Sequence, residues 1–480
     1  MFRTSSLLGV LALLAPAATA QQFSFGPQQS YAATQADETA GVDSGDLNED
    51  GLRDIVTTAY GPERVDCWIN DCSGGFYFAG AYPLPVGSQP GRIEMADFDG
   101  DGDDDVAVLL VALDQMMVIF NDGTGAFESS SLFNVTGSTP TDLAVADYDQ
   151  DGDMDVIVSN GASDDATLFT NDGAGVFTGV SYAGYLWPIG VAFGDVDGDG
   201  DVDFCISNRD DCSVWIYTND GQGVFTIRVK LPGDRLNYCV DLADFDNDGD
   251  DDVVVASTFS TTNLENTVRV RLYDQVADNW GTIYDYFLPG VSARKVVASD
   301  LDCDGDMDIA VSDLTTPVFD ILENDGTGTN FVVAQSVASG LGITDMVADD
   351  LDMDGAPDLA ASAADSDDMS VHINKGCGLE VEVVGACPGP ADVTITGATP
   401  NGMVYVVFSK RAGCFTLGSR SPCPGVTLGL KPLIRPIGQL TADANGDVIL
   451  NGQNVGPGLC GGYLQIIDAT TCLVSNVVQL

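Results

Sequence analysis

The stretch Asp147-Tyr148-Asp149-Gln150-Asp151-Gly152-Asp153-Met154-Asp155, followed at once by Val156-Ile157-Val158, carries the organisation of this 480-residue chain. Its template, D-x-[DN]-x-D-G-x-x-D, returns at Asp46, Asp97, Asp195, Asp244, Asp300 and Asp350, about fifty residues apart. Self-similarity at a fixed period of this length marks a solenoid or a propeller built from repeated supersecondary units. One Asp-Gly cluster is ordinary turn chemistry. Seven copies with acids at four fixed positions need another explanation.

Carboxylates at positions 1, 3, 5 and 9 converge on one hard cation only if the chain turns sharply, and the Gly at position 6 permits that turn. Calcium takes about six to eight oxygens, and the helix-flanked EF-hand loop opens with the same spacing. Here an Asp closes the loop at position 9 and the flanks read as strands, Leu143-Ala-Val-Ala146 before and Val156-Ile-Val-Ser159 after. The pattern predicts a calcium loop within a β-hairpin. The expected ligands are Asp46, Asn48, Asp50 and Asp54 in the first loop, and Asp97, Asp99, Asp101 and Asp105 in the second. Asp147, Asp149, Asp151 and Asp155 follow, then Asp195, Asp197, Asp199 and Asp203, then Asp244, Asp246, Asp248 and Asp252. Asp300, Asp302, Asp304 and Asp308, and Asp350, Asp352, Asp354 and Asp358, complete the set. Magnesium resists all-protein cages, and an all-oxygen donor set disfavours transition metals. The first loop departs most from the template, with Asn48 at position 3 and Arg53 beside the closing Asp54.

Residues 1–20 read as a secretory signal peptide: Arg3, an apolar core from Leu7 to Leu14, and the small-residue site Ala18-Thr-Ala20. That apolar stretch is too short to span a membrane, so the expectation is an exported or cell-surface protein. The net charge of −55 is concentrated in the repeats, since the segment after residue 377 holds six acids against five bases. This shift places a domain boundary near 377. Twenty-seven of the acids are loop ligands, so much of the acidity is metal-site chemistry, and it argues against nucleic acid, which requires a basic surface. Twelve cysteines in an exported chain favour disulfides. Zinc is a poor alternative with one His and no paired knuckles.

Each repeat reads as four strands. After the acidic loop and its following strand come a polar loop, a strand such as Thr167-Leu-Phe-Thr170, a turn Asn171-Asp-Gly-Ala-Gly, and a last strand opened by Phe177. Asn-Asp-Gly is strong hairpin-turn chemistry, and it recurs at Asn121, Asn219 and Asn324. Four strands per unit is the blade of a β-propeller. With loop and turn recurring in register, residues 22 to about 376 resemble the FG-GAP/VCBS repeats of integrin α-subunit propellers and of many bacterial secreted proteins. The resemblance implies an all-β, seven-bladed β-propeller with one Ca²⁺ per blade, up to seven in all.

Last-strand aromatics stand at Phe76, Phe127, Phe177, Phe225, Trp280 and Phe331, one short of seven. The missing strand is expected upstream of the first loop, within Phe23 to Tyr31, so that the mature N-terminus of a 21–377 propeller supplies the outer strand of the last blade. Gly378 to Val384 is the competing candidate. Residues 378–480 alternate Gly/Pro turns with β-rich runs and read as a small disulfide-containing β-sandwich-like domain holding Cys377, Cys387, Cys414, Cys423, Cys460 and Cys472 at or beyond its edge.

Strand direction puts the acidic loops and Asn-Asp-Gly turns on one face and the variable loops on the other, where binding residues tend to sit. Arg and aromatic side chains are the usual anchors of such a surface, which makes Arg64, Tyr185, Trp187, Arg209, Arg235 and Tyr238 the candidate ligand-binding residues, with Arg92 and Arg294 nearby. Cys212 and Cys239 map to the same face and can staple it. No Ser-His-Asp or Cys-His set is available, and His372, the single His, falls in a strand. The sequence therefore points to an extracellular binding or adhesion module with a protein or glycan ligand. A lectin-like propeller, or less favourably a polysaccharide-active enzyme, is the alternative.

Overall fold

The computed structural model describes residues 23–32, 39–71, 75–127, 129–233, 236–258, 267–275, 277, 279–288, 292–366, 368–376, 379–385, 389–410, 412–417, 427–430, 435–443, 447–455, 459–460, 462–471, 474–475 and 478–480. Residues 1–20, Arg235, Cys72, Cys377, Cys387, Cys423 and Cys472 lie outside these.

Between Gln29 and His372 the strands form seven four-stranded antiparallel sheets, here sheets 1 to 7 in order of their first strands. Sheet 3 is representative: Pro140–Ala146, Asp155–Asn160, Asp165–Thr170 and Thr178–Ala183, paired in sequence. The first strands of the others are Thr39–Gly45, Pro90–Ala96, Pro188–Gly194, Leu236–Ala243, Ala293–Ser299 and Ile343–Asp349. Each first strand contacts that of the next sheet, and Ile343–Asp349 contacts Thr39–Gly45, so the order of sheets is cyclic.

Burial follows from this stacking. The second strand of every sheet is covered on both faces by its neighbours, which is why runs such as Asp155–Asn160 and Asp358–Ala363 are buried along their whole length. The outer strands alternate or face solvent, as in Thr178–Ala183. Apolar clusters bridge adjacent sheets, and one joins Val42, Ile55 and Trp68 of sheet 1 to Leu351, Ala360 and Val371 of sheet 7.

Sheet 7 takes its outer strand from the N-terminal side: Gln29–Ala32 pairs antiparallel with Asp368–His372. Glu380–Gly385 pairs instead with Gly389–Thr396, so the segment competing for that position is used elsewhere. Tyr31 reinforces the junction. Its ring packs edge-on against Trp68 and Phe76 of sheet 1, and its hydroxyl accepts the Phe76 N–H at 3.0 Å. All seven first strands carry a register shift near their start, between Pro140 and Asp142 in sheet 3 and between Ile343 and Asp345 in sheet 7. A bulge bends a strand and re-aims its side chains. Here it turns several acids toward the centre of the ring.

Beyond the ring, Glu380–Gly385, Gly389–Thr396 and Val448–Val455 form one sheet. Arg435–Thr441, Met403–Ser409, Tyr463–Asp468 and Val478–Gln479 form a second. They share a core including Val381, Ile395, Val404 and Ile466. The tail meets sheet 7 at its acidic loop, where the Leu379 and Val474 N–H groups donate to the Asp354 and Met353 carbonyls at 2.8 and 3.3 Å.

Replacing Tyr31 by Ala removes both the ring contacts and the hydroxyl acceptor at the sheet 7 to sheet 1 junction. We expect a loss of about 2–4 kcal/mol in stability, read as a lower urea midpoint with an unchanged slope.

Candidate metal centres and candidate binding face

Every acidic loop folds by the same hydrogen bonds. The first Asp accepts the N–H of the position-6 Gly, at 2.8 Å in Asp46 and between 2.9 and 3.1 Å in the six other loops. That Gly adopts positive φ, for example 99° at Gly152, as a left-handed turn requires. The closing Asp is buried and bound from two sides. In the second loop Asp105 Oδ2 accepts the Phe98 N–H at 3.1 Å, and Oδ1 accepts the Asn121 N–H at 2.8 Å.

The residue after the third strand, usually the Asn of the Asn-Asp-Gly turn, then reaches the neighbouring sheet. Asn171 Nδ2 donates to the Phe98 carbonyl in the preceding acidic loop at 2.8 Å and to its own loop's Met154 carbonyl at 3.1 Å. Asn121, Asn219, Asn324 and Asn374 repeat the contact, and Asn70 makes it across the closure to Leu351 at 2.7 Å. In sheet 5 Tyr273 holds this position, and Gln275 Nε2 reaches the Asp197 carbonyl of sheet 4 instead, at 2.7 Å. Sequence alone identifies Asn121, Asn171, Asn219 and Asn324 as turn formers; their side-chain amides, with those of Asn70 and Asn374, also clasp adjacent sheets. Arg53, the anomaly of the first loop, is likewise a bridge, 3.1 Å from Asp349 of sheet 7 and 3.7 Å from Asp104 of sheet 2.

The loop carboxylates converge. Ligand oxygens lie within 4.8 Å of one another in Asp97/Asp99/Asp101, Asp147/Asp149/Asp155, Asp195/Asp197/Asp199, Asp244/Asp246/Asp248 and Asp300/Asp302/Asp304. The position-3 Oδ1 atoms of Asp99, Asp149, Asp197 and Asp246 are buried with no hydrogen-bond partner among the described residues. Buried polar atoms are normally satisfied, and the same orphaned oxygen recurs at the same place in four loops, where a cation could satisfy it. Electrostatics agrees. Burial, reinforced by neighbouring acids, pushes the closing carboxyls up to about 7 in Asp54, Asp105, Asp155 and Asp203, to about 8 in Asp308 and to about 9 in Asp252. A bound cation would remove that penalty and hold them ionised. The donor set fits a hard metal ion.

The opposite face needs correction. Tyr185 is 2% exposed and packs edge-on against Trp215 and Tyr217, so it belongs to the core. Arg64 is committed to Asp66 through two parallel contacts of 2.6 and 3.0 Å. Arg92 points inward, bridging Asp142 at 3.5 Å and Asp345. Cys239 is a buried free thiol, so no Cys212–Cys239 staple exists.

Two stacked pairs remain on this side. The Arg209 guanidinium lies 4.3 Å over the half-buried Trp187 ring, and Arg294 lies 4.6 Å over Tyr238. Trp187 sits at φ 54°, an unfavourable left-handed conformation for a bulky residue. The corresponding corner positions hold Gln89, Thr139 and Gly342. Gln89 and Thr139 share this conformation at φ 50° and 57°, so it belongs to the corner of the repeat and is not particular to Trp187. His372 is fully buried against Phe319, neither ring nitrogen has a hydrogen-bond partner among the described residues, and burial lowers it to about 4. It is a neutral packing residue.

Residues 46–108, 109–158 and 195–255 match the FG-GAP-like repeat family. The chain thus carries FG-GAP-like repeats, and the matched stretches contain the first five acidic loops. No curated protein matches the chain. Among solved structures, BBS1N in complex with ARL6DN, soaked with lead, aligns with a TM-score of 0.51 at 12% identity, covering 74% of this chain and 97% of that one. This likeness concerns the fold alone. A 6-phosphogluconolactonase-like protein of Bacteroides uniformis aligns at TM-score 0.49 and 12% identity, over 62% of this chain and 85% of its own. A lectin of Agrocybe aegerita specific for non-reducing terminal N-acetylglucosamine aligns at 0.43 and 17%, over 63% and 80%. Neither of these two bears on function.

Asn171→Ala leaves the Phe98 and Met154 carbonyls without their donor. The expected cost is about 1–3 kcal/mol, measured by urea unfolding in saturating calcium.

Proposed function

We propose that this chain is a secreted, calcium-binding, seven-bladed β-propeller that serves as an extracellular binding or adhesion module. The observation that carries the metal reading is the repeated buried, unpartnered position-3 oxygen within a convergent carboxylate cluster. Oxygen-only donors and a Gly-permitted turn favour Ca²⁺. One ion per loop, held by the 28 residues at positions 1, 3, 5 and 9, would neutralise carboxylates that burial otherwise penalises. The ion fastens the corner where the closing Asp and the clasping Asn meet, so its role is structural.

Recognition is assigned to the other face, with Trp187 and Arg209 as its anchors and Tyr238 and Arg294 beside them. The half-buried Trp187 ring under the stacked Arg209 guanidinium supports this choice, since Trp and Arg dominate binding hot spots. The ligand is an extracellular protein or glycan. The module acts by binding, and no residue is given a catalytic role. The count of twelve cysteines supports export and a disulfide-containing tail.

Removing calcium with excess chelator is expected to lower the melting temperature by roughly 10 °C or more, because each saturated site adds about 2–3 kcal/mol at a hundredfold excess over Kd. An unchanged melting temperature contradicts the structural role of the metal. On arrays of glycans and matrix proteins probed in calcium, Trp187→Ala and Arg209→Ala should each weaken the bound species at least about tenfold, in line with hot-spot truncation. Undiminished binding by both variants rejects this face.

A further inference from the structure

The seventh acidic loop differs from the others in what covers it. Its position-5 carboxylate, Asp354, is 1% exposed. At the same position Asp101, Asp151, Asp199, Asp248 and Asp304 are exposed and Asp50 is half-buried. The residues of this loop differ to match. Position 7 is an acid in the second to sixth loops, as at Asp103 and Asp153, and is Ala356 here. Ala356 is fully buried. Position 4 is polar or Gly in the first five loops and Cys303 in the sixth, and is Met353 here.

The cover is the tail. Met353 packs against an apolar cluster of Val407, Leu428, Leu430, Ile467 and Val474. The tail also bonds to the loop backbone. The Val474 N–H donates to the Met353 carbonyl at 3.3 Å, and the Leu379 N–H to the Asp354 carbonyl at 2.8 Å. Leu379 and Val474 are both buried. The two acceptor carbonyls stand in the turn that carries the expected ligands Asp352 and Asp354, and Gly355 closes that turn by donating its N–H to Asp350 at 2.9 Å. Asp350 Oδ1 is buried with no hydrogen-bond partner among the described residues. The tail is therefore fastened to the stretch of loop whose shape depends on how its clustered carboxylates are held. Without a cation they repel one another and the turn loosens. With one, the two carbonyls stay where the tail amides meet them. We propose that the seventh loop is the latch between the two domains: its calcium site, which rests on the calcium reading of the loops given above, is enclosed by the tail, and the tail stays docked only while that site is filled. Linkage makes the coupling reciprocal. Excluding water strengthens the attraction between carboxylates and cation, so the docked tail slows the exit of this ion, and loss of the ion releases the tail.

Calcium release from the loaded full chain into excess chromophoric chelator tests the proposal. One of the bound ions should leave at least about tenfold more slowly than the rest, within the usual range of coupling between sites. Met353→Gln places at position 4 the residue that the third loop has there, Gln150, and keeps every expected ligand; it should merge the slow ion with the fast ones. Amide hydrogen exchange reads the tail itself. Protection of the Leu379 and Val474 N–H groups should fall at least about tenfold in Asp352→Asn combined with Asp354→Asn, and stay unchanged in Asp149→Asn combined with Asp151→Asn. Release of all ions in one uniform phase, or equal protection of the two amides in both double variants, overturns the latch and leaves the calcium reading of the loops intact. A chain that binds no calcium overturns both. If a seventh-loop variant fails to fold, release from the unaltered chain decides the matter, because a uniform phase contradicts an enclosed site.

Discussion

The structure depends on what the closing aspartate of each acidic loop does with its two oxygens. One oxygen ties the loop to itself and the other ties it to the residue after the third strand, as Asp105 does with Phe98 and Asn121. That same residue carries the amide that reaches the preceding sheet. Loop geometry, hairpin position and sheet-to-sheet spacing are therefore set by one connected group of hydrogen bonds, repeated around the cycle. A buried carboxylate in this role is expensive unless charge is supplied to it. Burial raises the closing carboxyls of Asp252 and Asp308 accordingly, and a cation in the loop would offset that cost.

The interior shows the same economy in another form. Each sheet buries its second strand against both neighbours, so apolar runs such as Val106, Val108 and Leu110 pack with Val56 and Ile69 of the sheet before. The first strands cannot do this, because their inner edges face the hub. Bulges there turn Asp and Glu side chains inward. Four of these acids lace one strand to the next while Arg92 and Lys295 offset part of their charge. Ring closure rests on both layers: the hub bond from Asp345 to Val42, and the outer strand Gln29–Ala32 with Tyr31 against Trp68.

Much of this is legible in the amino-acid order, and the illegible parts have identifiable reasons. The acidic loops are readable because the same residue types recur at the same spacing in all seven. The four-stranded unit is readable because Asn-Asp-Gly marks the same turn in four of the seven repeats and a following aromatic marks it in six. The clasping role of Asn171 is hidden by its turn role, since both require Asn at one position. Tyr185 and Arg64 resemble surface anchors because loop placement says where a residue sits along the chain and not which way its side chain turns. Arg92 fails for the same reason, with a bulge re-aiming it into the hub. The hub acids Asp43, Glu94, Asp142, Asp241 and Asp345 are scattered one each over five of the seven sheets, so they form a group only once the ring is closed.

The central claim is that the acidic loops are the metal-held fasteners of the ring. Its most direct measurement is the number of calcium ions bound per chain at equilibrium, counted by dialysis and elemental analysis for the unaltered protein and for Asp149→Asn combined with Asp151→Asn. The account predicts one ion for each of the seven loops and the loss of one from the altered chain. No bound calcium, or a count indifferent to the third loop's carboxylates, would contradict it.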